Sequence, residues 1–156
     1  MTRLPGWGAV GNGDYLLDRL HEEVSRAARH RIPLACLLFR VRSPSDLDLT
    51  TAERLAHAAS VLARRMVRDS DIVGALGSGC FGVLANTTDE GAHKLAGALA
   101  TELRDFDFVQ MGCHVEVDLA YGIACLGDDM TPQRLLEDAR SALECFPSLQ
   151  TVRGQS

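Results

Sequence analysis

The sequence predicts an α/β fold, with helices packed against a central sheet that carries a β-hairpin in the middle of the chain. Four stretches place apolar residues at helical spacing, and two others have the short apolar patterns of strands. Two further apolar runs flank Gly77-Ser78-Gly79, as in a hairpin. The 156 residues fit one domain. We place it at residues 1–147 and expect residues 148–156 to be a polar C-terminal tail.

The first half of the chain predicts a helix, a strand and a second helix. The first helix covers about residues 14–30, with Asp14 as its N-cap. The continuous apolar run at residues 33–41 predicts a strand buried on both faces, although periodicity alone leaves a buried helix open. The second helix begins at the capping box Thr50-Thr51-Ala52-Glu53 and ends near Arg68. The predicted buried face of the first helix is formed by Leu17, Leu20, Val24 and Ala28.

The middle of the chain predicts the hairpin and a third helix. Its two strands are Ile72–Leu76 and Cys80–Ala85, and the glycines of the three-residue turn supply positive φ angles. A second capping box, Thr87 with Glu90, starts the third helix. The two capping boxes, at Thr50 and Thr87, support the predicted starts of the second and third helices.

The last part of the chain predicts one more strand and one more helix. Apolar and polar residues alternate at the start of residues 114–125, which indicates a strand with one wetter face. Thr131 caps the last helix, Pro132 occupies its first turn, and Pro147 stops it. The predicted order is therefore helix, strand, helix, hairpin, helix, strand, helix.

Composition excludes several classes of function. The net charge is −5, and the only basic block is Arg64-Arg65, so we expect no nucleic-acid partner. No apolar run approaches the ~18 residues that cross a bilayer, and the N-terminus has no secretory apolar region, so we expect no membrane partner and a cytoplasmic location. The five cysteines contain no C-x-x-C pair, which argues against a disulfide framework or a zinc site. We assign the scattered histidines no role.

Six stretches resemble, in order and spacing, the GGDEF domain of diguanylate cyclases, which join two GTP molecules into cyclic di-GMP. The stretch at residues 76–84 lies where that family has L-G-G-D-E-F followed by apolar residues. The resemblance implies the family's nucleotidyl-cyclase-like central sheet with its mid-chain hairpin. The six matching stretches are Leu4-Pro5-Gly6-Trp7, Asn12-Gly13-Asp14, and residues 68–73, 76–84, 119–124 and 135–143.

The resemblance also implies where the catalytic acids should stand. In the family, one metal-binding acid follows the glycine pair and another ends the first buried strand, because phosphoryl transfer needs carboxylates to hold divalent metal. Here those positions hold Gly79 and Cys80, and Arg40 and Arg42. We therefore predict a catalytically inactive domain with no catalytic residue, no metal site and no cofactor. The degenerate signature consists of Gly77, Ser78, Gly79, Cys80 and Phe81.

Two other interpretations of these residues stay open. Arg40 and Arg42 either form an exposed strand end or bind a nucleotide phosphate directly, since a guanidinium can do so without metal. Cys80 as a nucleophile would need a histidine, and none is nearby in the sequence.

Arg68 and Asp71 match the R-x-x-D pattern of the family's inhibitory product site. There, the arginine binds a phosphate and a guanine edge of cyclic di-GMP, and the aspartate accepts from guanine N1 and N2. The structural alternative is that Arg68 compensates a helix dipole and Asp71 begins a strand from a turn. Two departures weaken the ligand interpretation: Ala75 and Lys94 stand where the family often has arginines.

The leading hypothesis is thus an inactive GGDEF domain that regulates cyclic di-GMP signalling, by binding cyclic di-GMP at Arg68 and Asp71 or by docking on a partner protein. A second hypothesis is a dimerisation or interaction scaffold that binds no nucleotide. A third is residual cyclase activity. Met1 and the absence of a preceding sensor predict a small stand-alone form.

Overall fold

The computed structural model describes residues 13–43, 47–105 and 117–147. Its elements follow the predicted order of four helices and four strands. The hairpin lies in the middle, as predicted. The helices are α1 (Gly13–His30), α2 (Leu49–Met66), α3 (Asp89–Asp105) and α4 (Pro132–Glu144), and the strands are β1 (Ala35–Arg42), β2 (Ile72–Gly77), β3 (Cys80–Ala85) and β4 (Asp118–Cys125).

The strands form one antiparallel sheet in the order β2-β3-β1-β4. One apolar cluster joins one face of the sheet to α2 and α3, and a second joins the other face to α1 and α4. Strand β1 lies inside the sheet and contributes Leu37 and Phe39 to the first cluster and Cys36 and Leu38 to the second. The prediction of a strand buried on both faces is therefore confirmed, because an apolar residue is needed at every position of such a strand.

The buried face of α1 is displaced by one residue from the prediction at two of its four positions. Leu17 is 39% exposed and Ala28 is also exposed, whereas Leu20 and Val24 are buried as predicted. Two leucines stand side by side at positions 16 and 17, so periodicity does not tell which one faces the sheet. The helix also begins at Gly13, which puts Asp14 in its first turn rather than at the N-cap. The observed buried residues of α1 include Leu16, Leu20, Val24 and Ala27.

The N-cap of α2 is Asp48, so the predicted capping box at Thr50 is wrong. The Asp48 carboxylate accepts from the backbone N–H of Thr51 at 2.7 Å, and this bond lowers the pKa of Asp48. A carboxylate satisfies an orphan N–H and also favours the positive end of the helix dipole, which explains its preference here. The helix ends at Met66, two residues before the predicted Arg68.

The caps of α3 and α4 lie at or near the predicted positions. The Thr88 hydroxyl accepts from the backbone N–H of Gly91 at 3.2 Å, one residue beyond the predicted Thr87. Thr131 caps α4 as predicted, because its hydroxyl accepts from the backbone N–H of Arg134 at 3.1 Å. Each cap satisfies one of the N–H groups that a helix leaves unpaired at its start.

Several predictions fall outside the described residues. They are the first two family-like stretches except for Gly13 and Asp14, the part of the last strand before residue 117, and the tail at residues 148–156. Among the helices within the described ranges, none is both long and apolar enough to span a bilayer.

Candidate functional site

The hairpin turn is tighter than the three-residue loop predicted from the sequence. Gly77 pairs with Cys80, so the connection consists of Ser78 and Gly79 alone. Their φ angles are 54° and 77°, the positive pair that two-residue hairpins with right-handed twist require. Gly77, with φ of 81°, adjoins an irregularity of the ladder after Ala75. The prediction that both glycines adopt positive φ is confirmed.

Gly79 lies against the first turns of α2. A Cβ atom at this position would come within 3.3 Å of the Cβ of Ala52, whereas a Cβ at Gly77 would meet nothing within 4 Å. The Gly79 carbonyl also accepts from the backbone N–H of Val41 at 2.9 Å. The residue at the family's acid position is therefore held between β1 and α2, with little room for a side chain.

Arg40 and Cys80 are directly paired across β1 and β3. The fold thus pairs one of the two hairpin positions with one of the two strand positions at which the resemblance places metal-binding acids. The Arg40 guanidinium donates to the Glu144 carboxylate of α4 at 2.9 Å. The pKa of Arg40 is raised chiefly by this bond and next by Cys80, and the pKa of Glu144 is lowered by the same bond.

Arg42 is bound on three sides. Its guanidinium donates to the Asp118 carboxylate at 3.1 Å and to the Pro147 carbonyl at 2.6 Å, and it lies 4.9 Å from the centre of the Phe146 ring. Its side chain is 19% exposed. Arg40 and Arg42 each have a carboxylate partner within the protein, which favours a structural role for them over direct phosphate binding.

A magnesium ion does not fit this end of the hairpin. Magnesium takes hard oxygen ligands, and the two paired positions present a guanidinium and a thiol. Across residues 13–43, 47–105 and 117–147, no group of three or more His, Cys, Asp or Glu side chains is placed to hold a metal ion.

Phe81, the last residue of the degenerate signature, is part of the core. Its ring stacks on Phe39 with centroids 4.9 Å apart, and both side chains are fully buried. The aromatic position of the signature is thus used for packing between β1 and β3.

Arg68 and Asp71 lie at the other end of the hairpin, before β2. Asp71 is 5% exposed, and its Oδ2 accepts from the backbone N–H of Arg68 at 3.0 Å. The Arg68 side chain is exposed, and its Nη2 lies 3.4 Å from the Asn86 carbonyl, at the long limit of a hydrogen bond. Arg64 donates to the backbone carbonyls of both Arg68 and Asp71, which fixes the loop.

A polar network centred on Asn86, directly after β3, is not predicted by the sequence. The Asn86 side chain accepts from Arg26 at 2.7 Å and donates to the Pro33 carbonyl at 3.1 Å. Arg26 also donates to Glu23 at 2.6 Å, and this bond raises the pKa of Arg26. These residues come from α1, the loop before β1 and the end of β3. Because they are far apart in the sequence, no local pattern predicts their contact.

Comparison with known proteins identifies the family of the whole chain. A family model described as the GGDEF domain of diguanylate cyclase matches residues 8–148. No curated protein matches the sequence.

Three solved structures illustrate the similarity. The chain resembles diguanylate cyclase SiaD from Pseudomonas aeruginosa, solved with its activator SiaC, at 22% identity and a TM-score of 0.76, over 91% of this chain and 56% of that one. It is 26% identical to the GGDEF domain of PA1120 (YfiN or TpbB) from the same organism, with a TM-score of 0.69 and coverage of 95% and 92%. The coiled coil and GGDEF domain of DgcB from Caulobacter crescentus, solved with c-di-GMP, is 11% identical, with a TM-score of 0.73 and coverage of 97% and 81%. The match over residues 8–148 shows that the chain belongs to the GGDEF domain family.

Proposed function

We propose that this GGDEF domain is catalytically inactive and acts as a regulatory module that binds cyclic di-GMP at Arg68 and Asp71. Family membership assigns the chain to cyclic di-GMP signalling. The observation that carries the proposal is the contrast between the arginines at the two ends of the hairpin. Arg40 and Arg42 have carboxylate partners, whereas the exposed Arg68 guanidinium has only a distant carbonyl.

The case for inactivity rests on charge. Two unit charges ~4 Å apart interact by ~4 kcal/mol at an effective dielectric constant of 20, so a guanidinium at the metal position repels a divalent ion, and the ion pair with Glu144 reduces this repulsion. Cys80 supplies no hard oxygen, and Gly79 has little space for an acid beside Ala52. Formation of cyclic di-GMP from GTP with Mg²⁺ or Mn²⁺, measured by chromatography, would overturn this part of the proposal.

The case for ligand binding rests on Arg68 and its loop. A planar guanidinium matches a phosphate or guanine edge, and here Arg64 holds the backbone that presents it. The Asp71 carboxylate, next to it in the same loop, is the acceptor for guanine N1 and N2 in this proposal, and ligand binding would have to expose this buried side chain. The structure of DgcB with c-di-GMP supports the choice of ligand, since that protein shares this fold.

Isothermal titration calorimetry tests the ligand. We expect the wild-type protein to bind cyclic di-GMP and the Arg68→Ala variant to lose at least about tenfold in affinity, because a hydrogen bond to a charged group contributes about 1.5–3 kcal/mol. Cyclic di-AMP is the matched ligand, since it has the same phosphodiesters without the guanine donors. Arg140→Ala, at an exposed arginine of α4, is the matched variant and should bind normally. An absence of heat from the wild-type protein at high micromolar ligand would remove this function.

One observation favours a second candidate, an interaction or dimerisation scaffold without nucleotide. The Asp71 carboxylate is buried and already accepts a backbone N–H, which is a structural role. The structure of SiaD with its activator shows that a protein of this fold binds another protein. The scaffold is supported if light scattering shows a dimer that Arg68→Ala leaves intact and calorimetry shows no cyclic di-GMP binding.

A further inference from the structure

Six arginines lie within or directly after the C-terminal turns of α1 and α2, two helices that pack on opposite faces of the sheet. Arg26 and Arg68 both contact Asn86, through its side chain and its carbonyl respectively, which links the two helix ends. Both helices end here because β1 and β2 begin on this side of the sheet. We call this surface the arginine patch, and it consists of Arg26, Arg29, Arg31, Arg64, Arg65 and Arg68.

The arginine patch differs from the rest of the described surface in how its charges are paired. Within residues 13–43, 47–105 and 117–147, only Arg26 of the six has a carboxylate within salt-bridge distance. Arg29, Arg31, Arg65 and Arg68 are also exposed. In contrast, six cations elsewhere each pair with a carboxylate, whereas the exposed Arg140 has no such pair among the described residues. The six are Arg19, Arg40, Arg42, Lys94, Arg104 and Arg134.

Arg31 occupies its position at a cost in stability. It has a φ of 55° directly after α1, and the next N–H, of Ile32, bonds back to the Ala27 carbonyl at 3.1 Å. This is the helix-ending position at which glycine is strongly preferred, since other residues are strained in the left-handed region. Helix-dipole compensation explains arginines in the last turns of α1 and α2, but it does not explain an arginine held here. Backbone strain of this kind, which the exposed Asp129 shares, motivates a functional hypothesis for the side chain.

We propose that the arginine patch docks an acidic segment of a partner protein. Guanidinium forks match carboxylates in pairs, and within the described residues Arg29, Arg31 and Arg65 have no carboxylate within salt-bridge distance. A membrane surface fits less well, because the only large apolar side chains exposed within the described residues are Leu17 and Leu49, near the opposite ends of α1 and α2. Charge attraction to a bilayer would therefore lack an apolar anchor. The proposal goes beyond cyclic di-GMP binding and shares with it only Arg68.

Fluorescence anisotropy with short labelled poly-L-glutamate tests the patch in the full chain. The triple variant Arg29→Ala, Arg31→Ala, Arg65→Ala should bind about tenfold more weakly than wild type, as three exposed ion pairs of about 0.5 kcal/mol would give. The matched variant Lys94→Ala, Arg134→Ala, Arg140→Ala loses the same charge elsewhere and should bind as wild type. Equal weakening of both variants, or no binding by the wild type, would overturn the proposal. So would binding to phosphatidylserine vesicles in preference to the peptide.

Arg31→Gly separates binding from folding. Relief of the left-handed strain should raise the melting temperature by about 2–4 °C, while the loss of the guanidinium weakens peptide binding. A variant that is more stable and binds the peptide as wild type does would contradict the proposal. Because the triple variant keeps Arg68 and Asp71, it should still bind cyclic di-GMP in calorimetry. Failure of the docking proposal is thereby distinguishable from failure of the nucleotide proposal.

Discussion

The arginines near the two ends of the β2–β3 hairpin differ in their hydrogen-bond partners. At the turn end, Arg40 donates to Glu144 at 2.9 Å and Arg42 donates to Asp118 at 3.1 Å. At the base, the exposed Arg68 guanidinium reaches only the Asn86 carbonyl, at 3.4 Å. The comparison teaches that charge alone does not mark a binding residue. A guanidinium already matched by a carboxylate of the chain serves the fold, and an unmatched one is available to a ligand.

The largest effect is expected from the fully buried aromatic residue of the hairpin. Phe81→Ala removes a fully buried ring that stacks on Phe39, and we expect it to lower the free energy of unfolding by about 3–5 kcal/mol. Urea unfolding measures this loss. Phe146→Ala, at a half-buried ring, is the control and should cost less. If Phe81→Ala cost no more than Phe146→Ala, the signature aromatic would not be a core residue.

The next effect concerns the base of the hairpin. Asp71→Ala leaves the backbone N–H of Arg68 without its buried acceptor, which should lower the free energy of unfolding by about 1–3 kcal/mol. Asp69→Ala changes an exposed aspartate two residues away and should stay within about 0.5 kcal/mol of wild type. Equal stability of the two variants would show that the Asp71 bond does not hold the loop.

At the turn end, two glycines give a matched pair. Gly77→Ala places a Cβ in open space and costs about 1–2 kcal/mol for the left-handed backbone. Gly79→Ala has the same backbone strain and also presses on Ala52, so thermal unfolding should show a larger loss. If the two variants had the same melting temperature, the contact with α2 would not be what restricts side chains at position 79.

The smallest effect is a pH dependence at the turn end. The bond to Arg40 lowers the pKa of Glu144, so the unfolded chain takes up a proton there at higher pH than the folded chain. The pair therefore stabilises the fold above the ordinary carboxyl pKa, and this contribution is lost as the pH falls through the folded pKa. Melting temperatures between neutral and acid pH should fall less steeply for Glu144→Gln than for wild type. Identical slopes would contradict the ion pair.

The fold follows from the sequence wherever a local pattern is sufficient. The continuous apolar run of β1, the glycines of the turn and the cap at Thr131 are each decided by neighbouring residues, and the structure has all three. The face of α1 was misjudged because Leu16 and Leu17 are equivalent by periodicity. The cap of α2 was misjudged because Asp48 competes with Thr50 only two residues away.

The candidate sites depend on contacts that no local pattern contains. Glu144 lies 104 residues from Arg40, and Asn86 lies 60 residues from Arg26, so their bonds exist only after the sheet has formed. The family resemblance predicted that Arg40 and Cys80 belong to one site. It did not reveal that Arg40 is neutralised there or that Arg68 is left exposed.

The central claim is that the matched arginines serve the fold and the unmatched Arg68 serves a ligand, and paired measurements on two single variants test it most directly. Calorimetry with cyclic di-GMP and thermal unfolding should give opposite results for Arg42→Ala and Arg68→Ala. We expect Arg42→Ala to bind as wild type and to lose about 1 kcal/mol of stability, from its ion pair and its contact with Phe146. We expect Arg68→Ala to keep its stability within about 0.5 kcal/mol and to lose binding. Loss of binding in Arg42→Ala with normal binding in Arg68→Ala would contradict the account.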